Sequence, residues 1–158
     1  MFNALRSFLS RFKAEGYEEI ETPQGIEVAF TLRYRELIVG TLRLKDGIWE
    51  FRYSAEFKKQ TLLQPLIAFP DTEKVYVSDT LWPFFMSRLP SVSQPDIRET
   101  LRQEGLDERS AVDLLRRFGE STISNPFVLE EIPPSKAGDD IDENPPKRTV
   151  RRHLVRAS

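Results

Sequence analysis

Residues 2–15, FNALRSFLSRFKAE, place Leu5, Phe8, Leu9 and Phe12 at i, i+3, i+4 and i+7, with Arg6 and Lys13 off that stripe. The spacing predicts an amphipathic helix stopped at Gly16. An aromatic helical face can also lie on a membrane, but the low basic content favours docking on the protein's own sheet. From Ile26 the period falls to two. In IEVAFTLRYR the residues Val28, Phe30, Leu32 and Tyr34 share one face. Leu42 and Leu44 then oppose Thr41, Arg43 and Lys45, and Trp49, Phe51 and Tyr53 alternate with Glu50 and Arg52. Asp46-Gly47 between them suits the positive φ angles of a tight hairpin. The pattern predicts a three-stranded antiparallel meander with one buried face.

Helical and extended pieces alternate beyond the meander. SAEFKKQ reads as a helical turn or two capped by Ser54, and PLIAFP, held between prolines, as an extended, edge-like connection. KVYVSD is a short alternating stretch leading into LWPFFMSRLP, residues 81–90. Ser93 is the expected cap of a helix that has Pro95 in its first turn and runs to about Glu104. Asp107 is the expected cap of another, with Ala111, Leu114, Leu115 and Phe118 as its apolar stripe and Gly119 as its stop. FVLEEI is read as a last short strand. After Ile132 the composition shifts to prolines, an acidic block (Asp139, Asp140, Asp142, Glu143) and a basic block (Lys147, Arg148, Arg151, Arg152, Arg156). The expectation is an α+β fold: a small antiparallel sheet packed with several short helices. It divides into an N-terminal helix and connector over 1–25, a domain over 26–132 and a flexible tail over 133–158.

Composition narrows the chemistry. With 158 residues there is material for one domain and tails. A net charge of −2 supplies no basic field for a polyanion, so direct nucleic-acid binding is not expected. The absence of cysteine removes thiol catalysis and Cys-based zinc sites, and a single histidine, His153, leaves no imidazole pair. No apolar run approaches the length of a bilayer crossing and no signal-peptide pattern opens the chain, so a cytoplasmic protein without a membrane partner is expected. There is no phosphate-cradling glycine loop and no nucleophile elbow, and adjacent acids such as Glu18/Glu19 and Glu130/Glu131 read as solvated charge. No enzyme, cofactor or metal site is expected.

Four segments in order resemble the N-terminal domain of HipA-type serine/threonine kinase toxins. Val39-Gly40-Thr41-Leu42 leads to Phe51-Arg52-Tyr53, in the manner of the family's Val-Gly-x-Leu and Phe-x-Tyr. Pro65-Leu66-Ile67-Ala68-Phe69-Pro70 stands as a shortened Pro-Leu-Ser-x-Ser-Leu-Pro. Phe84-Phe85-Met86-Ser87-Arg88-Leu89-Pro90 matches Phe-Phe-x-x-Leu-Leu-Pro, and Val112 to Gly119 matches Phe-Asp-Leu-Leu-x-x-Ile-Gly. The serines of the Pro-Leu-Ser segment are missing, and Ser124-Asn125-Pro126 replaces the Gly-Ala that usually follows the last helix. The resemblance spans about Ile26 to Glu131.

The resemblance implies a lobe without its kinase core, as in three-gene modules made of a DNA-binding protein, a small N-terminal-like subunit and a shortened kinase. It implies a non-catalytic antitoxin subunit that binds and restrains a HipA-like kinase, and that meets the helix-turn-helix protein of the operon through the complex. A dimeric secretion chaperone or adaptor is the competing reading, and operator binding through the basic tail a third. Within LWPFFMSRLP, Phe85 and Leu89 are expected in the core. Trp82, Phe84 and Arg88 are the candidate partner-binding residues, large aromatics being favoured interface anchors.

Overall fold

Alternation of apolar and polar residues builds the sheet seen in the computed structural model, which describes residues 20–134. Strands β1 (Val28–Tyr34), β2 (Leu37–Lys45) and β3 (Ile48–Tyr53) form the expected meander. Both short stretches join it at the edges: β4 (Tyr76–Ser78) pairs with β3, and β5 (Val128–Glu131) with β1. The result is one antiparallel sheet in the order β4-β3-β2-β1-β5. The second hairpin turns at Asp46 and Gly47, whose φ angles of 51° and 74° are those of the primed turn that matches strand twist. The first turns at Arg35-Glu36, where Arg35 itself takes a φ of 53°.

Every inward strand position lies in one hydrophobic core. Phe30, Leu32, Leu42, Leu44, Trp49 and Phe51 are buried there, joined by Phe57, Phe85, Leu101, Leu114 and Leu115 from the helices. The outward positions carry polar residues in surface pairs such as Arg43 with Glu27 and Arg52 with Glu50. Trp49 buries its whole indole because its N–H has an acceptor, the Thr22 hydroxyl at 2.9 Å. That hydroxyl donates in turn to the carbonyl of Asp79 at 2.8 Å. Glu21 adds two backbone bonds, to Arg109 and Ala111, so the connector before β1 is stitched to the start of the last helix.

Among the described residues, four short helices cover the inward face. They are α1 (Ala55–Lys59), α2 (Pro83–Met86), α3 (Pro95–Glu104) and α4 (Ala111–Phe118). Ser54 caps α1 as expected, its hydroxyl accepting from the Phe57 amide at 2.9 Å. Two other caps shift. Helix α3 starts one residue later than the Ser93 cap implies: Gln94 is its N-cap, without a side-chain bond, and Ser93 pairs with Ser91 instead. Pro95 supplies a first-turn residue with no N–H to satisfy. Helix α4 is capped by Ser110, whose hydroxyl accepts from Asp113. Asp107 instead braces the turn before it, accepting from the Arg109 amide at 2.9 Å. PLIAFP is also corrected. It is a tight turn at Ile67-Ala68 with Leu66 and Phe69 buried on either side, closed by a 2.8 Å bond from the Phe69 amide to the Leu66 carbonyl. The amphipathic segment ending at Gly16 and the tail from 135 onward lie outside the described residues.

Gly40 leaves no room for a side chain within β2. A Cβ there would lie 2.4 Å from the Arg52 carbonyl oxygen and 2.9 Å from the Phe51 ring, closer than backbone or a packed aromatic can yield. Gly40→Ala is therefore expected to cost about 2 kcal/mol or more through overpacking, read as a lowered urea midpoint. An unchanged midpoint would show that the Phe51 ring moves aside freely.

Candidate functional site

Helix α2 splits the aromatic cluster. Successive helical residues point about 100° apart, so Phe84 and Phe85 diverge. Phe85 is fully buried against Phe51 and Phe69, and Leu89 is buried below it. Phe84 stays half-buried, its ring 6.2 Å from Phe69 on one side and 6.0 Å from Phe127 on the other. Trp82, the N-cap residue, stands edge-on to Phe69 at 5.3 Å and 83°. Tyr34 continues the row beyond Phe127 at 5.7 Å, and Tyr76 meets Phe69 at 5.0 Å. Half-exposed rings thus run along one rim of the fold, through a buried link at Phe69. Cations sit over both ends, Arg35 5.4 Å from the Tyr34 ring and Lys74 5.0 Å from that of Tyr76.

Arg88, singled out from the sequence beside Trp82 and Phe84, is placed differently from both. It is 4% exposed, and its guanidinium donates to the carbonyls of Gly119 (2.7 Å), Glu120 (3.0 Å) and Phe127 and to Oδ1 of Asn125 (3.1 Å). Those acceptors hold the whole segment between α4 and β5 against α2. Burial without a carboxylate pushes the guanidinium down to about 10, which leaves it charged near neutrality.

A second buried polar group acts in the same way at the other end of the rim. The Tyr53 hydroxyl donates to the Phe69 carbonyl at 2.7 Å and accepts from the Leu66 amide at 2.8 Å, closing the PLIAFP turn from inside. Alternation along β3 points this ring into the core. A hydroxyl forced there needs partners, which is the signal by which the sequence announces the clamp. Burial pushes its pKa up to about 12, with the Leu66 amide opposing and the nearby Tyr76 adding a little.

One further concavity is small. A crevice of about 220 Å³ between α4 and β5 is lined by Phe30, Leu115, Arg116, Glu120, Leu129, Glu130 and Glu131. It is smaller than the usual small-molecule pocket, and its mouth is occupied by the ion pair of Arg116 with Glu131 at 2.8 Å. Among the described residues no group of three or more His, Asp or Glu is placed to hold a metal ion, and no helix is long and apolar enough to cross a membrane.

Comparison with known proteins gives one family. The family model described as the HipA N-terminal domain matches residues 31–124 of this 158-residue chain. The matched span begins within β1 and ends in the loop that Arg88 holds. A search of the curated proteins finds no match.

The raised Tyr53 pKa fixes the sign of a pH effect. The folded state binds this proton more tightly than the unfolded chain, whose tyrosine titrates near 10. Stability from this group is therefore complete below about pH 10 and lost as pH rises toward about 12. Tyr53→Phe is expected to cost about 1–2 kcal/mol near neutrality, by stranding the Phe69 carbonyl and the Leu66 amide. The gap between the two proteins should narrow in urea titrations above pH 10. A gap that stays constant there would mean that the hydroxyl is not the buried proton holder.

Proposed function

From a chain that belongs to the HipA N-terminal domain family, we propose a non-catalytic subunit of a HipA-like toxin–antitoxin system, which binds a shortened HipA-like serine/threonine kinase and restrains it. The observation that carries this reading is the family match across residues 31–124, the stretch that builds most of the core. The rim supports it physically. Restraint of a kinase needs a rigid surface with an apolar centre and a polar margin, and Trp82 and Phe84 lie partly open on a base of buried Phe69 and Phe85 with cations beyond them. Rings held in this way lose little conformational freedom on binding. A DNA-binding protein of the same system is met through the kinase complex.

Co-expression of this chain with a shortened HipA-like kinase is expected to restore the growth that the kinase alone arrests, and the two proteins to co-purify with kinase autophosphorylation reduced. Raised autophosphorylation would reverse the sign to activation, and failure of both assays would remove the reading. Trp82→Ala is expected to weaken kinase binding about tenfold or more, as for a truncated interface anchor, with circular dichroism unchanged. Loss of the folded signal would assign Trp82 to the core instead.

A further inference from the structure

Ile67 and Ile123 are fully exposed, at 100% and 108% of the reference area. A single exposed aliphatic residue needs no explanation. These two share a construction that does. Each sits at the apex of a tight turn, a place where glycine, proline, asparagine, aspartate and serine are the ordinary choices. Ile67 tops the Leu66–Phe69 turn, and Ile123 tops a miniature hairpin in which Thr122 bridges Asn125. Each turn is held from within by one buried polar side chain, Tyr53 for the first and Arg88 for the second. The second is also braced from its own side chains, since Asn125 Oδ1 accepts from the Phe127 amide at 3.1 Å as well as from Arg88. Both loops pack on the same ring, Phe84, through Phe69 and Phe127.

Two apolar apices on the loops that pack on Phe84, each loop fixed before any partner arrives, make a two-pronged knob. We infer that Ile67 and Ile123 are preset anchors that enter two apolar pockets of a protein partner, seated on either side of a site for Phe84, and that Tyr53 and Arg88 are the positioning residues. This rests on the reading of the chain as a kinase-binding subunit and names the contact. A protein partner is favoured over an anionic membrane because the charge beside the prongs is mixed: Asp71, Glu73 and Lys74 follow the first turn, Glu73 pairs with Lys58 at 3.2 Å, and Glu120 opens the second loop. Neither prong carries the cluster of basic residues that anionic headgroups select, whereas mixed charge suits the polar margin of a protein interface.

The test uses the full chain and the HipA-like kinase. Ile67→Ser and Ile123→Ser remove only solvent-exposed surface, so both variants should keep the wild-type circular dichroism and urea midpoint. Each is expected to weaken kinase binding at least about tenfold, with a larger loss in the double variant. A double variant that binds within about twofold of wild type overturns the inference and leaves the kinase-binding reading standing. Wild-type chain that does not bind the kinase overturns both. Co-sedimentation of wild type with phosphatidylglycerol vesicles, lost in the double variant, would assign the prongs to a membrane and overturn the protein partner. A concentration-dependent dimer lost in the double variant would assign them to a second copy and do the same. Amide exchange tests the presetting without any partner. Residues 122–127 should exchange more slowly than a free peptide in wild type, and faster in Arg88→Lys while β1 to β3 are unchanged. Free-peptide rates in the wild-type loop would overturn the claim that it is preset.

Discussion

The close seat of Phe51 over Gly40 is the contact on which the rest of the molecule depends. Because Gly40 has no Cβ, the ring lies against the backbone of β2, at the centre of the five strands. From there it touches Tyr53, Phe69 and Phe85 at ring separations of 5.2, 4.4 and 5.8 Å. Three of the four motifs by which the sequence resembles the HipA N-terminal domain family thus meet at one side chain. The first supplies both the space, from its Val-Gly-Thr-Leu strand, and the ring, from its Phe-Arg-Tyr strand, and the Pro-Leu and Phe-Phe segments supply rings that pack on it. The fourth, α4, adds Leu114 and Leu115 to the same core, and Arg88 ties its C-terminal end to α2.

Period-two alternation in Val28–Tyr34, Leu42–Lys45 and Trp49–Tyr53 made the meander and its buried face legible, because side-chain direction in a strand follows position; the register shift between Leu32 and Arg33, with Val39 buried out of phase with Leu42, was not legible. Phe85 and Leu89 were legible in the same way once Pro83 was read as opening a helix. The two shifted caps were not. Ser93 and Asp107 carry ordinary capping side chains, and the choice of Gln94 and Ser110 is made by where tertiary packing puts the first buried helical residues. PLIAFP misled for a related reason. Its prolines exclude a helix, but what turns the chain there is the Tyr53 hydroxyl, 13 residues upstream of Leu66.

At the rim the readable part was chemical and the unread part geometrical. Trp82 and Phe84 stood out as aromatic mass, and their partial exposure follows from the divergence of neighbours on a one-turn helix. Arg88 belongs to the same ten residues, yet its role depends on carbonyls more than 30 positions away in sequence. No local pattern announces such a partner. Of the residues that carry the resemblance, Gly40, Phe51, Tyr53 and Phe85 lie inside, while Ile67 and Ser124-Asn125-Pro126, which do not fit the pattern, lie in the two loops that pack on Phe84.

The acceptors around Arg88 are three backbone carbonyls and one side-chain amide, none of which is ionised near neutrality. Ion pairs on the outer surface, such as Arg116 with Glu131, weaken as counterions crowd in or as the carboxylate takes up a proton. The tie between the end of α2 and the loop after α4 has no carboxylate to protonate, and its donor is shielded from mobile ions by burial. The shape of that end of the rim accordingly rests on neutral acceptors and packed rings, contacts that neither added electrolyte nor mild acid acts on directly.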